Sequence, residues 1–164
     1  MGKAGVGISP AQPSGVLALK PSTVKARFSI LGNPFTHNKV VPITASQFHY
    51  AFGNHLSVKD SNVLWEKYSI PAAAHMLWQG ALGALTKGDG AVDWRKKDRA
   101  PLLLIAGTND HTVLMQVIKA EKKKYHGPAT VELKIFEGRT HKIINQEGWE
   151  EVADFSIHVS KFSE

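Results

Sequence analysis

The chain contains no cysteine. Disulfides, a thiolate nucleophile and a zinc site held by cysteine are therefore excluded. No apolar run reaches the roughly 18 residues that crossing a bilayer requires, so no membrane partner is expected. The opening MGKAGVGISPAQP has one lysine and no apolar stretch behind it, and does not read as a secretion signal. Val6 stands where a myristoylated N-terminus would carry serine or threonine. H-E-x-x-H is absent, and His37, His49, His55 and His75 form no i, i+4 ligand pair, so neither a metal nor any other cofactor is expected. The lack of cysteine fits a cytoplasmic setting, which is the expected location.

What is present is ordinary for a globular protein. The 164 residues suit one domain or a portion of a larger one, with 43% apolar and 21% charged residues. The formal charge of +6 is concentrated in WRKKDR (94–99) and KAEKKKYHG (119–127). Neither run is interleaved with aromatics that could stack on bases, and the second falls on the polar side of a predicted helix. Both read as solvated faces, and no nucleic-acid partner is expected.

Three segments differ in pattern. Residues 1–33 hold a short strand, AGVGIS, broken by PAQPSG, and then an irregular stretch to about residue 40. Residues 34–95 are helical in pattern. TASQ is a capping-box signature in which Thr44 and Gln47 bond each other's backbone N–H, and Phe48, Ala51 and Phe52 follow on one face. Ser57 opens a second helix carrying Val63, Leu64 and Tyr68. Pro71 starts a third apolar stretch, PAAAHMLWQGALGAL, that Gly80 and Gly83 weaken. This block reads either as a small helical core or as a lid over an apolar substrate site.

Residues 96–164 alternate strand and helix. Leu102–Ala106 are wholly apolar, as a strand covered on both faces should be. A helix is predicted over about 112–125 with Leu114, Val117 and Ile118 on one face, then a strand over 131–136. A last helix is predicted over about 147–162 with Trp149, Val152, Ala153 and Ile157 inward. This order implies an α/β fold with parallel strands joined by right-handed crossovers.

Each of the two strong strands is followed by one titratable group. Asp110 comes four residues past the first strand and His141 five past the second. Ligands of open parallel sheets bind at the carboxyl ends of the strands. Adjacent parallel strands would therefore bring the two side chains together, the carboxylate fixing the tautomer of the imidazole and stabilising its cation. Singly, Asp110 could instead cap the following helix, His141 could be a surface-loop histidine, and His111 reads as an exposed or packing neighbour.

These residues resemble the C-terminal part of an α/β-hydrolase. Gly107-Thr-Asn-Asp110 is similar to that family's G-x-x-D after its seventh strand, and Gly138-Arg-Thr-His141 to its histidine motif after the eighth. The resemblance implies that residues 34–95 are a cap inserted after the sixth strand, that AGVGIS is that strand, and that Asp110 and His141 are the acid and histidine of a triad. G-x-S-x-G does not occur. Ser9 in GISPA and Ser14 in PSG do not fit a nucleophile elbow. The expected function is thus a hydrolase of small ester- or amide-like substrates whose serine is not encoded in this chain: a truncated or split enzyme, nearly inactive alone, with self-association through an open sheet edge expected. The alternative is a non-catalytic binding module of the same fold.

Overall fold

In the computed structural model, residues 3–16, 33–83 and 90–161 are described. Much of the stretch expected to be irregular before residue 40, part of the linker after the helical block and the end of the last helix lie outside those residues.

The fold is organised around Leu102–Gly107, β4 in chain order. Its alternate side chains enter two separate apolar layers, so both faces of the strand must be covered. Leu104 and Ala106 join Val16, Val113, Leu114, Val117 and Ile118 on one side. Leu103 and Ile105 join Phe136, Ile143 and Val152 on the other. Strand β1 (Gly5–Ile8) lies along one edge of β4, and β5 (Val131–Phe136) lies along the other. Both pairings are parallel, with Gly5 opposite Leu102 and Leu102 opposite Val131. The α/β arrangement expected from the order of elements is therefore present, and the second and third strands of the sheet are successive in the chain.

Helix α4 (Met115–Lys122) crosses from β4 to β5. It is shorter than its apolar pattern implies, beginning three residues later than expected. The amides of Thr112 and Val113 are bonded to the Asp110 carboxylate, and Leu114 is extended, so the helical hydrogen-bond pattern starts only after it. Leu114, Val117 and Ile118 are buried as their spacing requires. Helix α5 (Trp149–Lys161) starts after a turn rather than at Glu147, with Glu150 and Glu151 favourably placed in its first turn. Its inner face is centred on Val152 and Phe155. Trp149 and Ile157, expected inside, are about half exposed.

Between β1 and β4 lies the helical block. A 3-10 turn (Pro34–Thr36) leads into the two-residue strand β2 (Val40–Val41), which pairs antiparallel with β3 (Ala72–Ala73). Helix α1 (Ala45–Ala51) opens with the expected capping box: Gln47 N–H donates to Thr44 Oγ1, and Thr44 N–H donates to Gln47 Oε1 at 2.9 Å. Helix α2 (Val58–Tyr68) is capped by Ser57. Here the burial departs from the pattern. Val63 and Tyr68 face solvent, and Ser61 is fully buried, because α1 and α2 meet where Gly53 has no side chain: a Cβ there would stand 2.2 Å from Ser61 Oγ. Helix α3 (Ala74–Gly83) forms despite its glycines, yet Met76 is 70% exposed, while Ala74 is fully enclosed. The block is a thin layer rather than a core of its own.

One buried group opposes the fold. Glu121 on α4 is enclosed, with Tyr125 Oη donating to one carboxylate oxygen and the other oxygen unpartnered. Burial raises its pKa, only partly offset by the tyrosine. The folded state thus holds the proton of this acid more tightly than the unfolded chain does, and the penalty on folding grows as pH rises past the ordinary glutamate value. Glu121→Gln should raise unfolding stability by about 1 kcal/mol near pH 8 and by much less near pH 4. Denaturant titrations at both pH values check this, and an equal effect at both would contradict it.

Candidate active site

The hydrogen-bond ladder between β4 and β5 does not stop at the ends of the strands. Thr108 N–H donates to Phe136 O at 3.1 Å, Gly138 N–H to Thr108 Oγ1 at 2.9 Å, and Asn109 N–H to Arg139 O at 2.9 Å. Gly107 allows this closeness: a Cβ on it would meet the Arg139 carbonyl oxygen at 2.3 Å. The loop after β4 is thereby laced to the loop after β5. Arg139 fixes the second loop from outside, donating to the carbonyls of Glu147 and Gly148 and pairing with Glu151 on α5 at 3.2 Å.

This lacing brings together the two residues singled out in the sequence. His141 Nδ1 and Asp110 Oδ2 are 2.8 Å apart. The other carboxylate oxygen accepts the N–H groups of Thr112 and Val113, each at 2.8 Å. Asp110 therefore holds the imidazole and organises the turn before the next helix; it does not cap that helix, whose N-cap is Leu114 with no side-chain bond. Its side chain has no exposed surface, against 25% for His141. Burial pushes the Asp110 pKa up. The hydrogen bond and charge of His141, the Val113 amide and the nearby Ser9 hydroxyl outweigh that and leave it below the ordinary aspartate value. With Nδ1–H donated to a carboxylate, Nε2 is the ring nitrogen left to accept a proton.

Superposition on solved structures shows what this architecture is. A monoacylglycerol lipase from Paleococcus ferrophilus matches over 98% of this chain and 58% of its own, with a TM-score of 0.53 at 15% identity. DcsB, solved in complex with a substrate analogue, matches over 99% of this chain and 57% of its own, with a TM-score of 0.53 at 13% identity. The chain has an α/β-hydrolase fold. It spans a little under three fifths of the length of these two hydrolase-fold structures. No protein-family model matches the sequence, and no curated protein does.

Against this fold the two serines can be placed. Ser9 follows β1 with a left-handed φ of 42°, buried, beside the Asp110 carboxylate. Its hydroxyl lies near enough to help hold the carboxylate ionised but completes no hydrogen bond of good geometry, so its contact with the acid is weak and electrostatic. Ser14 sits in the next turn, where its N–H donates to Gly90 O at 2.9 Å. His111 is a packing residue: its ring stacks on Tyr50, with centroids 4.6 Å apart, and Nδ1 bonds the Tyr50 carbonyl. Among the described residues no group of three histidine, aspartate or glutamate side chains could hold a metal ion. No described helix is long and apolar enough to cross a membrane.

Several other side chains at the site, Asn54 and Leu56 among them, carry no sequence signal of their own. Asn54 donates to Asn109 O at 2.9 Å and Thr112 donates to Ala51 O at 3.0 Å, so the end of α1 is fastened to the acid loop. Phe52, just past α1, lies against the His141 ring with centroids 5.5 Å apart. Beyond Phe52 opens a cavity of about 660 Å³, walled by Phe48, Leu56, Leu64 and Tyr68 from the helical block and by His55, Lys142 and Gln146 among its polar groups. Phe48 and Phe52 were legible as one face of the first predicted helix, and Leu64 and Tyr68 as apolar positions of the second; that these meet Lys142 and Gln146 was not, because those residues lie far apart in the chain.

Two outcomes follow from this geometry. Asp110 has a lowered folded-state pKa, so its stabilisation is fully present above the ordinary aspartate value and is lost as pH falls through the lower folded value. Asp110→Asn should cost about 2 kcal/mol at pH 7, with the deficit shrinking in strong acid; denaturant titration across that range reads it, and a deficit independent of pH would refute it. Gly107→Ala should cost about 2 kcal/mol and weaken the ring-proton and amide signals that report the 110–141 contact in NMR spectra. Retention of both would show that the loops tolerate separation.

Proposed function

We propose that this chain supplies the acid and base of an α/β-hydrolase-type hydrolase acting on a small ester- or amide-like bond. The observation that carries this reading is the 2.8 Å contact between the fully buried, ionised Asp110 carboxylate and His141, whose ring lies against Phe52, a wall residue of the cavity. In the proposed reaction Nε2 of His141 takes the proton of an attacking hydroxyl. Asp110 holds the tautomer and stabilises the imidazolium, and the proton then passes to the leaving group. The helical block 34–95 acts as the cap that shapes the substrate's place, a role supported by its attachment to the acid loop through Asn54 and Thr112. An ester-type substrate is in keeping with the lipase among the similar structures, which has 15% identity to this chain.

The attacking serine is taken, on this reading, from residues outside these 164. No G-x-S-x-G occurs in them, and Ser9 lies beside the Asp110 carboxylate. Among the described residues β1, where Val6 is exposed, is an edge strand of the sheet, and that edge is where further parallel strands carrying the serine and the oxyanion donors would pair. A second copy of the chain pairing through the same edge is the competing use of it. A cytoplasmic location and a small-molecule substrate complete the proposal.

The purified 164-residue chain should not react with a fluorophosphonate probe. The complex or longer polypeptide that contains it in its source cells should react at a serine outside these residues, and His141→Gln there should slow labelling at least about 10³-fold. Labelling of a serine within the chain, or labelling indifferent to His141, would overturn the proposal.

A further inference from the structure

The cavity beyond Phe52 has an imidazole, that of His55, on its wall, and the hydrogen bonds behind it determine which of its nitrogens carries the proton. The chain of assignment starts at Gln146. Its Oε1 accepts the Thr140 N–H at 3.0 Å, and its Nε2 donates to the Gly138 carbonyl at 3.3 Å, so the orientation of the amide is fixed by two backbone groups. Thr140 Oγ1 lies 3.1 Å from that same Oε1. Oε1 carries no proton, so the hydrogen bond at this distance is donated by the single hydroxyl proton of Thr140 to Gln146. Toward its other neighbours Thr140 Oγ1 can only accept. It accepts the Lys142 N–H, and it stands 3.3 Å from His55 Nδ1. Nδ1 must therefore be the protonated nitrogen.

The remaining nitrogen of His55, Nε2, is left with a bare lone pair on a ring that lines the cavity. The imidazole stays neutral: burial lowers its pKa, and the Lys142 ammonium lowers it further. A neutral acceptor of this kind attracts a hydroxyl or N–H and offers nothing to an ether oxygen. The facing wall of Phe48, Phe52, Leu56 and Leu64 accepts an apolar body. We propose that His55 is a specificity residue whose Nε2 accepts a hydrogen bond from a hydroxyl group of the ligand, so that the cavity selects small esters or alcohols combining an apolar body with a hydroxyl donor. The proposal rests on reading the cavity as the substrate's place, but it does not depend on the chain's having activity.

Long-range proton–nitrogen correlation spectra of the ¹⁵N-labelled protein near neutral pH read the tautomer directly. His55 should show the Nδ1–H form; the Nε2–H form or an imidazolium would overturn the inference. Titration with 2-phenylethanol and with its methyl ether then tests recognition. The alcohol should bind roughly three- to tenfold tighter, and His55→Leu should erase that preference. Equal binding of the two probes, or no binding of the alcohol, would also overturn it. If His55→Leu does not fold, the tautomer and the probe ratio on the unaltered protein decide the matter. None of these readouts uses the 110–141 pair or a nucleophile, so their failure leaves the proposed chemistry standing, and a failed fluorophosphonate test leaves them untouched.

Discussion

The Asp110 carboxylate is charged and entirely enclosed, and much of the molecule is arranged to make that tolerable. A buried ion survives only where its oxygens are supplied with donors. Two amides of its own loop serve one oxygen and the His141 imidazole serves the other. Those donors exist because β4 ends where it does and because the next three residues delay the start of α4. The same demand couples the sheet to the histidine loop, since His141 reaches the carboxylate only while Asn109 and Arg139 hold their loops together.

The coupling extends outward from there. Helix α1 ends with carbonyl groups that lack helical partners, and side chains of the acid loop satisfy two of them, His111 at Tyr50 and Thr112 at Ala51. The helical block is thus attached to the site through its own unfulfilled hydrogen bonds rather than through a large apolar interface. Its outer surface retains Phe35, Ile70 and Met76 in solvent. A layer this thin gains little from burial, so the position of the cavity wall depends on a few polar contacts at the rim of the sheet.

Thr140 ties these arrangements together. It is fully buried between His141 and the loop that carries Gln146, and its one hydroxyl proton is already committed. A neighbour of the acid–imidazole pair therefore also sets the state of the imidazole on the cavity wall. The histidine of the 110–141 contact and the groups that bond the His55 ring share one short segment, residues 138–146.

The sequence by itself determined the strands 102–107 and 131–136, whose apolar or alternating runs permit little else, and the capped start of α1 at Thr44, where the capping partners are three residues apart. It also determined which two titratable groups would meet, because residues at equivalent places after adjacent parallel strands share an edge. Tertiary structure alone decided where α4 begins, why Glu121 and Ser61 are enclosed, and that Trp149 and Ile157 are not. Each of those depends on what packs opposite, which periodicity does not specify. His55 and Thr140 are 85 residues apart in the chain. No local pattern links them, because a hydrogen bond between side chains is selected by the distance between their atoms in space and leaves no spacing in the sequence.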